Sequence, residues 1–174
     1  MNKEDIMRRV IDTARRNLEA GGEGLTPVVS VIVKNGEIVG EGYNTVIRDH
    51  DPTAHAEVAA IRDACRRLKT CDLSGCEIYV ISDPCPMCFA AIYHARLDRL
   101  YYGNARADTL RQGIDHKYLF RDAALPTEKR TLPSEQLLGD EARAVMEAWA
   151  KLPSFRKLKE IMRPNDLYLS SSKR

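Results

Sequence analysis

The sequence predicts an α/β fold, a three-layer α/β/α sandwich around a central mixed sheet. Three observations carry that prediction: an amphipathic helical stripe at the start, β-branched residues folded back by an Asn-Gly turn, and a following alternation of strand-like and helix-like segments. The 174 residues suit a single domain spanning 1–174, and a chain of this size buries roughly 70% of its unfolded surface without a disulfide scaffold.

Each element has a local reason. Ile6, Val10, Ile11, Ala14 and Leu18 recur at helical spacing, which predicts a first helix over residues 3–20, ended by Gly21-Gly22-Glu23-Gly24. That glycine run follows a helix, so it reads as a capping turn and not as a dinucleotide loop, which would follow a strand. Pro27 opens the strand Val28 to Val33; Lys34-Asn35-Gly36-Glu37 is a hairpin turn, and Ile38 to about Asn44 forms the returning strand. Val58, Ile61, Cys65 and Leu68 mark one face of a helix over about 54–68. Cys76 to Ser82 is almost continuously apolar, which predicts a strand central in its sheet. A helix then runs from the cysteine segment to about Arg96, and Leu97 to Gly103 is a fourth strand. Residues 105–120 read as short helices and turns, and 121–137 as a polar connection. Ala142, Val145, Met146, Trp149 and Leu152 form a further helical stripe. Pro153 interrupts it, and a short basic helix with Phe155, Leu158 and Ile161 follows. The tail from Leu169 to Arg174 is expected to be loose.

Composition excludes several classes. Charged residues make up 30% and hydrophobic ones 44%, an ordinary soluble balance. A net charge of +2 is too small to argue for a nucleic-acid partner, and the pairs Arg15-Arg16, Arg66-Arg67 and Lys129-Arg130 read as solvated faces. The longest aliphatic run, Val28 to Val33, is far short of a membrane span, and the acidic start lacks a secretory core. Of five cysteines, two sit at metal spacing; Cys65, Cys71 and Cys76 read as reduced packing residues, which fits a cytoplasmic protein.

The chemistry lies in His55-Ala56-Glu57 and Pro84-Cys85-Pro86-Met87-Cys88, both at strand-to-helix junctions. Cys85 and Cys88, three apart on a first helical turn, can turn both sulfurs to one ion, and the positive helix end favours thiolate. Pro84 and Pro86 help fix where that turn begins. His55 supplies a third ligand to Zn2+. Two thiolates and a neutral imidazole nearly cancel the metal charge and leave one position for water, whose pKa can fall from about 15.7 towards about 7. Glu57 lies two positions from His55, which frees its carboxyl to move protons. A lone histidine or a lone C-x-x-C would carry none of this. A closed structural site, with Cys76, His50 or His94 as a fourth ligand, is the alternative reading of the same residues.

The pattern H-x-E followed by P-C-x-x-C is the signature of zinc-dependent nucleobase deaminases. The chain resembles the cytidine deaminase superfamily and, within it, the bacterial guanine deaminases. The resemblance runs from about Pro27 to Phe120, with weaker similarity in the flanking helices, the C-terminal ones at about 139–163 among them. It is carried by Asp51-Pro52-Thr53-Ala54-His55-Ala56-Glu57-Val58, Asp83-Pro84-Cys85-Pro86-Met87-Cys88 and Ala91-Ile92-Tyr93. The first of these is shared with tRNA adenosine deaminases, whereas Gly113-Ile114-Asp115-His116-Lys117-Tyr118 follows the guanine arrangement better. It implies a cytidine deaminase-like fold, zinc on His55, Cys85 and Cys88, and Glu57 as general acid/base. It also implies that Asn44 and the Ala56 amide face a small nucleobase or related amino-heterocycle. It further implies a homodimer or larger assembly, and the last helix, through Tyr168, is expected to reach towards a partner's pocket.

The sequence departs from the guanine pattern in several places. Val28 stands where an aromatic stacks on the base, and Val29-Ser30 where a Gly-Ala step is usual. His94 replaces a tryptophan, and Asp115 beside His116 replaces an acidic pair. His94, Asp115 and His116 are therefore expected to line a pocket of altered specificity. Guanine leads as substrate; another aminopurine, a triazine or cytosine follows. Two other classes compete: a tRNA-editing enzyme, supported locally by the basic segment Arg156 to Arg163, and a zinc-stabilised binding module without turnover.

Overall fold

The structure, a computed structural model, describes residues 1–22, 24 and 26–163. Tyr168 and the tail after it lie outside the described residues. The chain forms two compact units, Met1–Asp115 and His116–Arg174.

In the first unit, α1 (Lys3–Glu19) precedes the hairpin strands β1 (Val29–Lys34) and β2 (Glu37–Tyr43). The short α2 (Val46–Asp49), α3 (Ala56–Leu68), β3 (Cys76–Ser82), α4 (Pro86–His94), β4 (Arg99–Asn104) and α5 (Arg106–Arg111) follow. The sheet order is β2-β1-β3-β4. β1 is antiparallel to both β2 and β3, while β3 and β4 run parallel, so the sheet is mixed. β3 is interior, as its almost continuously apolar run predicts.

The α1 stripe buries Ile6, Val10 and Ala14, while Ile11 and Leu18, also expected on it, stay exposed. Asn2 caps its start by accepting from the Asp5 amide. Ile6, Val10 and Ala14 pack on Val29, Val31, Val33 and Tyr79. The opposite sheet face presents Ile32 and Ile78 to Ala60 and Ala64 of α3 and to Ile92 of α4. Helices thus cover both faces, which makes the three layers. Asn35 (φ 51) and Gly36 (φ 79) take the left-handed conformation that a two-residue hairpin turn needs.

The contact between β2 and α3 depends on two glycines. A Cβ at Gly40 would stand 2.7 Å from the Ala60 carbonyl oxygen and from the Ala64 side chain. A Cβ at Gly42 would come nearer still to the Ala56 carbonyl oxygen and the Ala60 amide nitrogen. Bare backbone at these positions lets the first turns of α3 rest directly on the strand.

Several elements differ from expectation; β4, for one, begins at Arg99 and not at Leu97. α2 is a single turn, too short to show periodicity. The third helix begins at Ala56, because Asp51 to His55 is held as a turn. α4 stops at His94 and not at Arg96, because Arg96 adopts a left-handed φ of 62°.

The second unit contains α6 (Lys117–Ala123), a 3₁₀ turn at Thr127–Lys129, α7 (Gly139–Ala150) and α8 (Pro153–Ile161). Trp149 meets Phe155 edge-on at 5.0 Å and donates its indole N–H to the Ser154 hydroxyl at 3.0 Å, joining α7 to α8. The predicted α7 stripe forms as a helix, yet Val145 and Met146 stay exposed. Among the described residues no helix is long and apolar enough to cross a membrane.

Candidate active site

Two helix starts build the site. The turn before α3 is fixed by Asp51, whose Oδ1 accepts from both the amide and the hydroxyl of Thr53 at 2.7 Å. The Thr45 amide ties this turn to β2 through the Ala54 carbonyl at 2.9 Å. His55 then occupies the N-cap position with extended backbone, and its side chain makes no capping bond. The imidazole is thereby left to face the second segment. There Cys85 is the N-cap of α4, Pro86 holds its first position, and Cys88 stands one turn in.

The strand end that delivers Cys85 is braced. Ser82 closes β3 and Asn104 closes the parallel β4 beside it. The Ser82 hydroxyl lies 3.0 Å from that of Thr109, and the Asn104 amide donates to Ser82 at 3.3 Å and to Thr109 at 3.0 Å. Asp83 accepts from Arg106 at 3.1 Å, and its amide donates to the Asn104 carbonyl at 2.9 Å. Sequence reading missed this brace. Its only signal is a polar residue closing each of two adjacent apolar strands.

His55 Nδ1 lies 3.4 Å from Cys88 Sγ and 3.7 Å from Cys85 Sγ. One ligand atom from each residue falls within 4.8 Å of the others, and among the described residues this trio is the single group of its kind. Cys85 and Cys88 are buried and His55 is half-buried. Cys76, His50 and His94 do not join them: Cys76 lies in the core beneath α3 and α4, His50 caps the exposed end of α2, and His94 ends α4. A three-donor set with soft sulfur and imidazole ligands fits zinc with a coordination position to spare, and among the described residues the closed four-ligand alternative finds no fourth donor.

The electrostatics follow from this crowding. The Cys88 thiol and the His55 ring hold Cys85 well below the usual thiol range, against the opposing effect of burial. Donation to Cys85 and burial push Cys88 up, and the hydrogen bond to Cys85 raises His55. Glu57, 4% exposed, is raised chiefly by burial. Its Oε2 has no hydrogen-bond partner. A carboxyl so placed is ready to take or give a proton.

The remaining expected residues fall into two groups. Asn44 directly follows β2, and its amide donates to the Val28 carbonyl at 3.0 Å, so Val28 and Asn44 stand side by side at the mouth of the hairpin. Asn44 Oδ1 accepts from the Val46 amide at 3.2 Å. Ala56 is buried in the first turn of α3. His94 is exposed at the far end of α4 from the cysteines, and Asp115 is exposed at the close of the first unit. His116 opens the second unit as the N-cap of α6.

Fold and donor set together describe a hydrolytic metal centre of the deaminase kind. The chain belongs to the family defined by the cytidine and deoxycytidylate deaminase zinc-binding region, whose sequence model matches residues 1–104. It is 40% identical over 149 residues to guanine deaminase of Bacillus subtilis (strain 168), covering 86% of this chain and 94% of that one. The X-ray structure of guanine deaminase from Bacillus subtilis superposes with a TM-score of 0.80 at 38% identity, over 87% of this chain and 96% of that chain. Guanine deaminase from Nitrosomonas europaea gives 0.61 at 26% identity, covering 82% and 73%. A tRNA-specific adenosine deaminase of Aquifex aeolicus (strain VF5) is 43% identical over 102 residues, 59% of this chain and 66% of its own. The family's metal is zinc, and His55, Cys85 and Cys88 are the donors available for it here.

Proposed function

We propose that this chain hydrolyses the exocyclic amine of a free nucleobase, guanine first, to give the oxo-base and ammonia. The observation that carries the reading is the buried Glu57 carboxyl beside the convergent His55, Cys85 and Cys88, in a chain that matches a guanine deaminase over most of its length. Zinc on those three donors supplies Lewis acidity, bringing the pKa of water towards neutrality. The protein's own residues then move protons and hold the base. Glu57 accepts the proton released as water is activated, passes it to the ring nitrogen next to the amine-bearing carbon, then takes the second proton from the added hydroxyl and gives it to the departing amine. The Ala56 amide, at a helix start where backbone donors have no intrahelical acceptor, faces the base. Asn44, with Oδ1 engaged by Val46, offers its amide hydrogens to a base oxygen. Val28 lines the stacking position.

The reading includes a homodimer in a reducing, cytoplasmic setting with a role in purine metabolism. α4 supports assembly: it is apolar on all sides, yet Phe89 and Tyr93 are 41% and 45% exposed with ring centroids 4.7 Å apart. A helix of that composition is ordinarily buried. Light scattering on the zinc-loaded protein tests this, and a monomeric mass refutes it.

The deciding experiment is ammonia release from guanine, guanosine, cytosine and aminotriazines, with inosine formation in a tRNA anticodon stem-loop read alongside. Turnover of guanine supports the reading. Turnover of another small compound, with guanine untouched, assigns the Val28 and His94 changes to a different specificity. Inosine in the RNA alone moves the function to tRNA editing, as the likeness to tRNA-specific adenosine deaminases would then explain.

A further inference from the structure

Among the described residues, two polar or charged side chains are buried in the core: Ser30, fully, and Glu57. Each carries an oxygen without a hydrogen-bond partner, Ser30 Oγ and Glu57 Oε2. The sheet register places them together. Ser30 alternates with Val29 and Val31, which face α1, so it shares the opposite face with Ile32. Ile32 is cross-strand from Gly40, which rests on Ala60 and Ala64 of α3. Two residues back, Ser30 is cross-strand from Gly42, which rests on Ala56 and Ala60. Ser30 is therefore level with the first turn of α3, which contains Glu57. On its other side it pairs with Val80 of β3, the strand that leads into the Cys85 turn.

Ser30 also has little else to bond. It sits inside an interior strand with ladders to β2 and β3, so the backbone groups beside it are committed. An unpartnered hydroxyl in such a place costs stability that an alanine would avoid. We propose that Ser30 is a positioning residue for Glu57: its hydroxyl, through one buried water, holds Oε2 and leaves Oε1 to handle the reacting protons. A water bridging two such oxygens would satisfy both. The proposal rests on the deaminase reading above, because it takes Glu57 as the proton carrier.

The test is Ser30→Ala, Glu57→Gln and the double variant, all zinc-loaded. Ser30→Ala should keep full zinc content and an unchanged KM while kcat falls about fivefold, the worth of about one hydrogen bond. The melting shifts of the two single variants should fail to add, the double variant departing from their sum by about 2–4 °C. Unchanged kcat overturns the proposal, and so do additive melting shifts, which would show that the two groups do not communicate. If the wild-type protein deaminates nothing in the substrate panel, the deaminase reading fails by itself, and the melting cycle still decides whether Ser30 and Glu57 are joined.

Discussion

Replacing Gly42 with alanine tests whether α3 needs bare strand backbone beneath it. Ordinary van der Waals contact begins near 3.4 Å. At Gly40 an added methyl would sit 2.7 Å from α3, an encroachment of about 0.7 Å. At Gly42 the encroachment is larger, and the obstructing atoms are the backbone of Ala56 and Ala60, which cannot rotate away. The first turn of α3 must lift by about 1 Å, carrying His55 and Glu57 with it. Overpacking of this kind costs about 1–3 kcal/mol, and each kcal/mol lowers Tm by about 2–4 °C in a chain of this size. A misplacement of about 1 Å at a reacting group can cost about a hundredfold in rate. The assay pairs thermal unfolding with kcat/KM for ammonia release, and Gly75→Ala is the control for a methyl added in open space: nothing lies within 4 Å of it, although the left-handed φ of 81° there, which Gly42 does not share, carries strain of its own. Gly42→Ala should lose activity out of proportion to its melting shift, while Gly75→Ala loses only stability. Wild-type turnover in Gly42→Ala would refute the coupling between strand and site.

Other substitutions probe the site and its surroundings. Glu57→Gln should bind zinc normally yet lose about 10²–10⁴-fold in kcat, as expected for removal of a positioned general acid/base; a few per cent residual activity would sink the proton-carrier role. Cys88→Ser should lower zinc occupancy by metal analysis and reduce Tm, and a chelator should bring the wild type down to a similar value. Asp72 is pushed up by burial, but the Ser74 hydroxyl and amide and the charge of Arg96 outweigh that and leave it below the usual carboxylate range. Since its folded pKa lies beneath the unfolded value of about 3.9, its contribution is present above that pH and fades as pH falls through the folded value. Asp72→Asn should therefore melt about 2–4 °C below wild type at pH 7, the worth of one hydrogen bond, with the gap closing in acid. A constant gap across that range would contradict the assignment.

What the sequence shows well is what is local. β-branched runs mark β1 and β3, the Asn35-Gly36 pair marks the hairpin, and the helical spacing of Ile6, Val10 and Ala14 marks α1 and the face it buries. Cys85 and Cys88 are readable as a pair because three residues on one helical turn set their geometry. That His55 meets them across 30 residues is legible only because two motifs occur in order. Features made by distant neighbours stay hidden. The Ser82, Asn104 and Thr109 brace joins two strands and a helix, and Ser30 resembles any serine in an apolar strand until register sets it beneath Glu57. The α7 stripe shows where a helix forms, not what its exposed Val145 and Met146 meet. Arg96 illustrates a further limit, because nothing in its side chain announces a left-handed backbone that ends α4 early.

The thiols divide along the length of β3. Cys85 and Cys88 are buried at the end where β3 delivers the metal turn, while Cys71 is exposed in the loop that leads to Cys76 at the strand's start. Seven residues of strand hold the two ends about 20 Å apart. The protein thus carries its own handle for a spectroscopic reporter: a maleimide dye applied to the zinc-loaded chain meets Cys71 in the open and the ligand thiols shielded. Such a reporter watches metal exchange from a distance at which it neither competes for the ion nor touches the base.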